Sequence, residues 1–187
     1  MDAFLVTFAA TFLLALGARD QLIVAQFSDA VGRTGPMLVL GMAVAAASAA
    51  AAAYAGWSVA ALLPAGAVHL LACLALVLAA IDLALPVHLR SMKEPTRSYV
   101  AIAAVLFVRQ VMGAARIVIF ALALMAIHLW PHAAGGALGG AAAIGLGWYW
   151  GKDSFDRAPL LWMRRIMAAC LIVAAFLIGS NARFAGL

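Results

Sequence analysis

Among the polar side chains that interrupt the apolar stretches of this sequence, seven charged or amide residues are the main candidates for chemistry. Such side chains are rare there, because burial away from water costs free energy unless the group is paired or hydrogen-bonded. Groups of this kind line substrate paths, relay protons or form fixed ion pairs between helices. The seven residues are Arg19, Asp20, Gln21, Asp82, Arg109, Gln110 and Arg116.

The depth of these residues within their apolar stretches predicts which of them meet. At about 1.5 Å of rise per helical residue, Asp20 and Arg109 lie at similar depths within their apolar stretches. Both are expected on the side of the bilayer midplane that the basic residues assign to the cytoplasm. We therefore predict an ion pair between them. Gln21 and Gln110 are expected to complete its hydrogen bonds.

Arg19 and Arg116 are the remaining cations. Asp82 is the predicted partner of Arg19, because it lies in the cytoplasmic half of the third apolar stretch, residues 67–89. Arg116 has no acid at its own depth, so it is expected to extend to the interface, bond to carbonyls of a broken helix, or face a water-filled cavity. Three arginines and two aspartates sum to +1 (3 − 2), which favours an anion or zwitterion as solute. A fixed ion-pair network that locks helices together is the alternative.

The composition places these residues in a membrane protein. Of the 187 residues, 68% are hydrophobic and 10% charged, and the mean hydropathy is +1.11. A helix needs about 20 apolar residues to span a bilayer. Six such runs occur, at residues 4–27, 37–63, 67–89, 99–130, 134–150 and 160–179. We predict an all-α, polytopic membrane protein of six transmembrane helices, with the lipid bilayer as its main partner.

Basic residues at the ends of these runs predict the orientation. The side reached after the first, third and fifth runs carries Arg33, Arg90, Lys93, Arg97, Lys152, Arg157, Arg164 and Arg165. The opposite side has only Arg183. By the positive-inside rule both termini lie outside the cytoplasm, and we expect a bacterial inner-membrane protein. No run of basic and aromatic residues indicates nucleic-acid binding.

The two halves of the sequence resemble each other. A shift of 96 residues aligns FLLALGARDQLIV with VRQVMGAARIVIF and places Gly17 on Gly113. Two prolines have partners 95 residues on, in the pairs Pro36–Pro131 and Pro64–Pro159. Each half holds three runs, and an odd number reverses the direction in which the second half crosses the membrane. We predict inverted three-helix repeats at residues 1–89 and 99–187, joined by a cytoplasmic linker at 90–98.

This organisation resembles the calcium:cation antiporter-2 family, also known as uncharacterised protein family 0016, along nearly the whole chain. Each half of those proteins carries Glu-x-Gly-Asp-(Lys/Arg)-(Thr/Ser), often followed by Gln-Leu. Here the first motif reads Ala-Leu-Gly-Ala-Arg-Asp-Gln-Leu from residue 15, and the second reads Val-Met-Gly-Ala-Ala-Arg from residue 111. The motif glycines, Gly17 and Gly113, are kept. The four carboxylate positions hold Ala15, Ala18, Val111 and Ala114.

The resemblance implies a divalent-cation/proton exchanger for calcium and manganese, but the missing acids change the chemistry. These cations need several oxygen ligands, and proton exchange needs groups that titrate near the working pH. We predict a transporter-type protein with a degenerate motif, and with neither a metal site nor a cofactor. Two alternatives stay open: a non-transporting structural or regulatory membrane protein of the same fold, and a transporter of an anionic or zwitterionic solute.

The remaining reactive residues predict no further chemistry. No grouping of nucleophile and base has the context of an active site, so enzyme activity is not expected. Cys73 and Cys170 lie in apolar runs and are expected to be small buried residues. His69, His128 and His132 map to the non-cytoplasmic face, where interfacial positions are expected rather than metal binding. The sequence predicts no oligomeric state.

Overall fold

The computed structural model describes residues 1–18, 20–25, 35–85, 98–150 and 160–184, with side chains described up to residue 180. The helices in chain order are α1 (Asp2–Ala15), α2 (Gly35–Ala60), α3 (Ala65–Ala84), α4 (Tyr99–Val111), α5 (Ala114–Leu124), α6 (Leu129–Trp150) and α7 (Leu160–Phe184). Residues 20–25 are also helical, and the described ranges contain no strand. The predicted all-α class is confirmed. Arg19, the linker up to residue 97 and the basic loop residues lie outside these ranges.

Three helices are long and apolar enough to span a membrane: α2, α3 and α7 over Leu160–Ser180. The bent pair formed by α4 and α5 is a fourth if the two make one span. α1 is a shorter apolar helix of 14 residues. The described residues therefore contain three or four candidate spans, and the number six stays a prediction.

Two predicted runs are interrupted near their middle. α1 ends at Ala15, and helix resumes by residue 20. Between them Gly17 has a φ of +69°, a left-handed conformation that glycine adopts without strain. α4 and α5 meet at 56°, with Gly113 as the N-cap of α5. Each break thus falls at one of the two glycines that the 96-residue shift aligns.

The predicted fourth span, residues 99–130, is bent near its middle, and its second helix ends before Trp130. α5 stops at Leu124, and α6 starts at Leu129. Pro131 explains the second boundary, since it lacks the N–H that a continuous helix would need there. A new helix that begins at Leu129 places this proline in its first turn, where no N–H is required.

Glycines of α6 bring this helix close to α1. A Cβ built on Gly135 would lie 2.5 Å from the carbonyl oxygen of Phe4, and one on Gly139 would lie 2.6 Å from that of Phe8. The contacts advance together along both helices, so α1 and α6 run parallel. Small residues allow such close approach in a membrane, where lipid gives helices no hydrophobic reason to associate.

α6 also crosses α2, in the antiparallel direction. Gly41 of α2 faces Ile144, and Ala49 faces Gly136. Midway between these contacts lie Ala45 and Gly140, which are 95 residues apart, the offset that also relates the prolines. The second helices of the two predicted repeats therefore pack against each other around matched positions.

α3 and α7, which lie in the third and sixth predicted runs, are antiparallel as well. Cys73 Sγ donates to the carbonyl of Ala175 at 3.3 Å, and Arg164 Nη2 donates to that of Asp82 at 2.9 Å. Cys73 is half-buried, whereas Cys170 is exposed on α7. The prediction that Cys170 is buried is wrong, because an apolar run gives no sign of which helix face turns outward.

Alanines form much of the buried interior beside some leucines and isoleucines, and many large apolar side chains are exposed. Alanines such as Ala45, Ala49 and Ala53 are fully buried, while Val100, Ile127 and other bulky side chains are mostly exposed. Water-soluble proteins bury their large apolar side chains. The exposure of so many large apolar side chains suits a protein whose surface contacts lipid.

Candidate functional site

A cavity of about 170 Å³ lies between the two helix breaks. Residues near both breaks line it: Leu14, Ala18 and Asp20 at the first, and Met112, Gly113 and Ala114 at the second. The charged lining residues are Asp20, Asp82, Arg109, Arg116 and Arg164. Their formal charges sum to +1 (3 − 2). Five of the seven predicted site residues line this cavity; Gln21 does not, and Arg19 lies outside the described residues.

Arg116 is 2% exposed and hydrogen-bonds to uncharged groups. Its Nε donates to Ser48 Oγ at 3.0 Å, and its Nη2 donates to the Ala45 carbonyl at 3.2 Å and to Gln110 Oε1 at 3.1 Å. A Cβ on Gly140 would lie 3.1 Å from Nη2, so the glycine leaves room for the guanidinium. Of the predicted alternatives, Arg116 takes the bond to a backbone carbonyl, but that carbonyl belongs to the continuous helix α2.

The amide of Gln110 has a defined orientation. Ser48 Oγ donates to its Oε1 at 2.8 Å, and Arg116 has only donors, so the amide atom that faces both must be the oxygen. This leaves the buried Nε2 without a hydrogen-bond partner in the described part of the chain. An unpartnered buried donor costs about 1–3 kcal/mol.

Gln21 connects the first break to α6. Its Oε1 accepts from the Gly17 N–H at 2.6 Å, and its Nε2 donates to the Ala143 carbonyl at 2.6 Å. The prediction that Gln21 supports an Asp20–Arg109 pair is wrong, because both ends of its amide are occupied by backbone groups. Gln21 instead stabilises the left-handed turn at Gly17, whose N–H would otherwise lack a partner.

Asp82 and Arg164 bind the helix ends at the breaks. Asp82 Oδ2 accepts from the Ala114 N–H at 3.2 Å, at the start of α5, where the N-cap glycine has no side chain to offer. Arg164 Nη1 donates to the Gly17 carbonyl at 3.3 Å, just beyond the end of α1. A helix is positive at its N-terminus and negative at its C-terminus, so each charge lies at the favourable end.

Asp20 and Arg109 line the same cavity without the predicted ion pair. Both residues are described, and no ion pair within 4.0 Å joins them. The prediction errs in the helix face: Gln110 is 2% exposed whereas Arg109 is exposed, since consecutive residues point about 100° apart around a helix. Asp20 is 8% exposed and interacts electrostatically with Arg116 instead.

The four positions that lack the family's carboxylates also lie at the breaks. Ala15 and Ala114 are buried, Ala18 is half-buried and Val111 is exposed. None of these side chains has an oxygen atom. Within the described ranges, no group of three or more His, Cys, Asp or Glu residues is arranged to hold a metal ion.

Two residues of the site are not predicted as site residues from the sequence: Ser48 and Arg164. Arg164 is used only as one of the basic residues that predict the orientation in the membrane. Ser48 is the one polar residue in the alanine run 43–53, and that isolation was the available clue. Arg164 reaches the first break because α7 packs beside α3, a contact that no local pattern predicts.

One predicted interfacial histidine lies inside the protein. His132 is 9% exposed, and its Nδ1 lies 2.8 Å from Thr7 Oγ1, at the contact of α6 with α1. The same hydroxyl donates to the Ala3 carbonyl at 2.8 Å, so the imidazole donates to Thr7 through Nδ1–H. His128 is exposed. The helix that starts at Leu129 turns His132 inward.

No protein-family model, curated protein or solved structure matches this chain. The resemblance to the antiporter family thus depends on the kept glycines, Arg19 and Gln21-Leu22, and on the order of the apolar runs. It stays a prediction.

Proposed function

We propose that this chain is a transporter-type membrane protein, built of six spans in two inverted three-helix repeats, that moves a small anionic or zwitterionic solute. One observation carries the proposal: a charged cavity lies between two helix breaks that are 96 residues apart in the sequence. Secondary transporters commonly form their solute sites from discontinuous helices that meet near the midplane.

The directions of the helices support the inverted repeat. α1 and α6 run parallel, whereas α2 is antiparallel to α6 and α3 is antiparallel to α7. In a six-span protein, α1 and residues 20–25 would form the first span, and α4 and α5 would form the fourth. Six spans that alternate in direction would then have these same relations. The matched positions Ala45 and Gly140 then lie near the pseudo-two-fold axis.

The charges favour an anionic or zwitterionic solute over a bare divalent cation. Three guanidinium groups line the cavity beside two carboxylates, and one of these, Asp82, already binds the start of α5. Calcium requires about 6–8 oxygen ligands and is repelled by nearby positive charge. Cation exchange of the kind that the family resemblance implies is therefore the weaker candidate.

A structural role is the second candidate, and the Arg116 network favours it. The guanidinium links α5 to α2 and to Gln110 of α4 through hydrogen bonds of 3.0–3.2 Å. Such a network can hold helices in one arrangement without any solute. Flux measurements separate this role from transport.

Cation flux tests the loss of the family chemistry. We expect purified protein in vesicles to exchange neither manganese nor calcium for protons. Restoring the four acids, as Ala15→Glu/Ala18→Asp/Val111→Glu/Ala114→Asp, supplies oxygen ligands and titratable groups and is expected to raise manganese-dependent proton flux about tenfold or more above wild type. The readouts are a manganese-sensitive dye and a pH dye inside the vesicles.

The same vesicles test solute transport with radiolabelled glycine and acetate. Uptake of either by the wild type, above that of empty vesicles, supports the proposal. Manganese exchange by the wild type contradicts the degenerate-site interpretation. If neither labelled solute enters, the structural role is favoured.

A further inference from the structure

Asp20 and Arg109 are opposite charges that line one cavity, and Asp20 also interacts electrostatically with Arg116. Neither forms a hydrogen bond or an ion pair with any other residue in the part of the chain that the structure describes. Asp20 is 8% exposed, and a carboxylate this buried is costly unless a cationic group approaches it. Arg109, in the last turn of α4, presents a guanidinium whose natural partner is an oxyanion.

The other charges of the cavity already bind protein groups. Asp82 binds the Ala114 N–H, Arg164 binds the Gly17 and Asp82 carbonyls, and Arg116 binds the Ser48 and Gln110 oxygens, all within 3.3 Å. The groups left over are one carboxylate and one guanidinium, whose formal charges cancel. A solute that satisfies both carries one cationic and one anionic group.

Gln110 adds a third unsatisfied group beside Arg109. Its Nε2 is a buried donor without a partner in the described residues, and its Oε1 is fixed by Ser48 and Arg116. Arg109 and Gln110 line the same cavity, and a guanidinium and an amide donor there suit a carboxylate, which accepts two to four hydrogen bonds. The α4 side of the cavity thus fits the anionic end of the solute, and Asp20 fits its cationic end.

We propose that the cavity binds a small zwitterion of the α-amino-acid type, its carboxylate held by Arg109 and Gln110 and its ammonium group by Asp20. This inference rests on the proposed transport function and names the solute class. Binding a molecule of zero net charge leaves the charge of the membrane interior unchanged. It also supplies Asp20, Arg109 and Gln110 with partners at once.

Equilibrium binding to the detergent-solubilised full chain tests the proposal without requiring transport. Glycine, acetate and methylamine are titrated separately, with thermal unfolding and calorimetry as readouts. We expect glycine to bind about tenfold or more tightly than either single-charge probe, because each charge-assisted contact contributes roughly 1.4 kcal/mol or more. Acetate binding as tightly as glycine, methylamine binding as tightly, or no binding by any probe would overturn the zwitterion proposal.

Two variants test which residue binds the ammonium group of the solute and which binds its carboxylate. Asp20→Asn is expected to weaken glycine binding about tenfold and to leave acetate binding unchanged, whereas Arg109→Gln weakens both. The matched controls are Asp2→Asn and Arg165→Gln, which alter exposed charges away from the cavity. The comparison of the three probes on wild type stands even if a variant does not fold. Acetate uptake into vesicles without glycine binding would reject the zwitterion and keep the transport proposal.

Discussion

Arg116→Ala is expected to lower the free energy of unfolding by about 3 kcal/mol. The truncation empties the space between Ala45 and Gly140 and removes the bonds to Ser48, Ala45 and Gln110. A void in a close-packed interior and unsatisfied buried oxygens each destabilise. Burial of an unpaired guanidinium is itself costly, which offsets part of this loss and keeps the expected value below the sum of the separate effects.

Reversible unfolding in mixed SDS and detergent micelles measures the effect. The control is Arg165→Ala, because Arg165 is exposed and contacts only the Trp162 ring, at 5.8 Å, among the contacts described. It should change stability by less than about 1 kcal/mol. Arg116→Lys keeps the charge but loses the planar guanidinium with its several N–H donors. We therefore expect the Arg116→Lys protein to be less stable than the wild type too. Equal stability of the Arg116→Ala and Arg165→Ala proteins would show that the network contributes nothing to folding.

Gly139→Ala is expected to destabilise by about 2 kcal/mol, the second large effect. The added Cβ would meet the Phe8 carbonyl oxygen at 2.6 Å, and backbone atoms cannot move aside as a side chain can. α1 and α6 must therefore separate. Adding Gly135→Ala, which meets the Phe4 carbonyl on the same face at 2.5 Å, should increase the loss.

Gly145→Ala is the matched control on the same helix. Nothing lies within 4 Å of a Cβ there, so only helix propensity acts, and alanine is favoured over glycine by about 1 kcal/mol. The two variants should thus shift the unfolding transition in opposite directions. If Gly139→Ala is as stable as Gly145→Ala, the close α1–α6 contact is absent from the folded protein.

The helical class could be predicted from the sequence, but the two helix breaks could not. The length of the apolar runs permits only helices, and the shift that aligns Gly17 with Gly113 matches the two positions without indicating that a helix is interrupted there. Glycine suits the left-handed turn at Gly17, but a glycine inside an apolar run also fits an unbroken span.

The faces of the helices could not be predicted, and the errors at the site follow from this. These helices are apolar on all sides, so periodicity does not say whether Arg109 or Gln110 turns inward. The break makes the problem worse, because a bend of 56° resets the rotation of α5 relative to α4. Partners such as Ser48 and Arg164 depend on packing between distant segments, which only the folded structure reveals.

Thiol accessibility tests most directly whether the two breaks enclose a hydrated solute cavity. In a background with Cys73→Ala and Cys170→Ala, Ala115→Cys and Ala123→Cys place thiols at two buried positions of α5, of which only the first lines the cavity. A charged methanethiosulfonate should modify residue 115 about tenfold or more faster than residue 123, because only a solvated thiol ionises and reacts. Equally slow modification at both positions would mean that the breaks are dry, and would contradict a transport site between them.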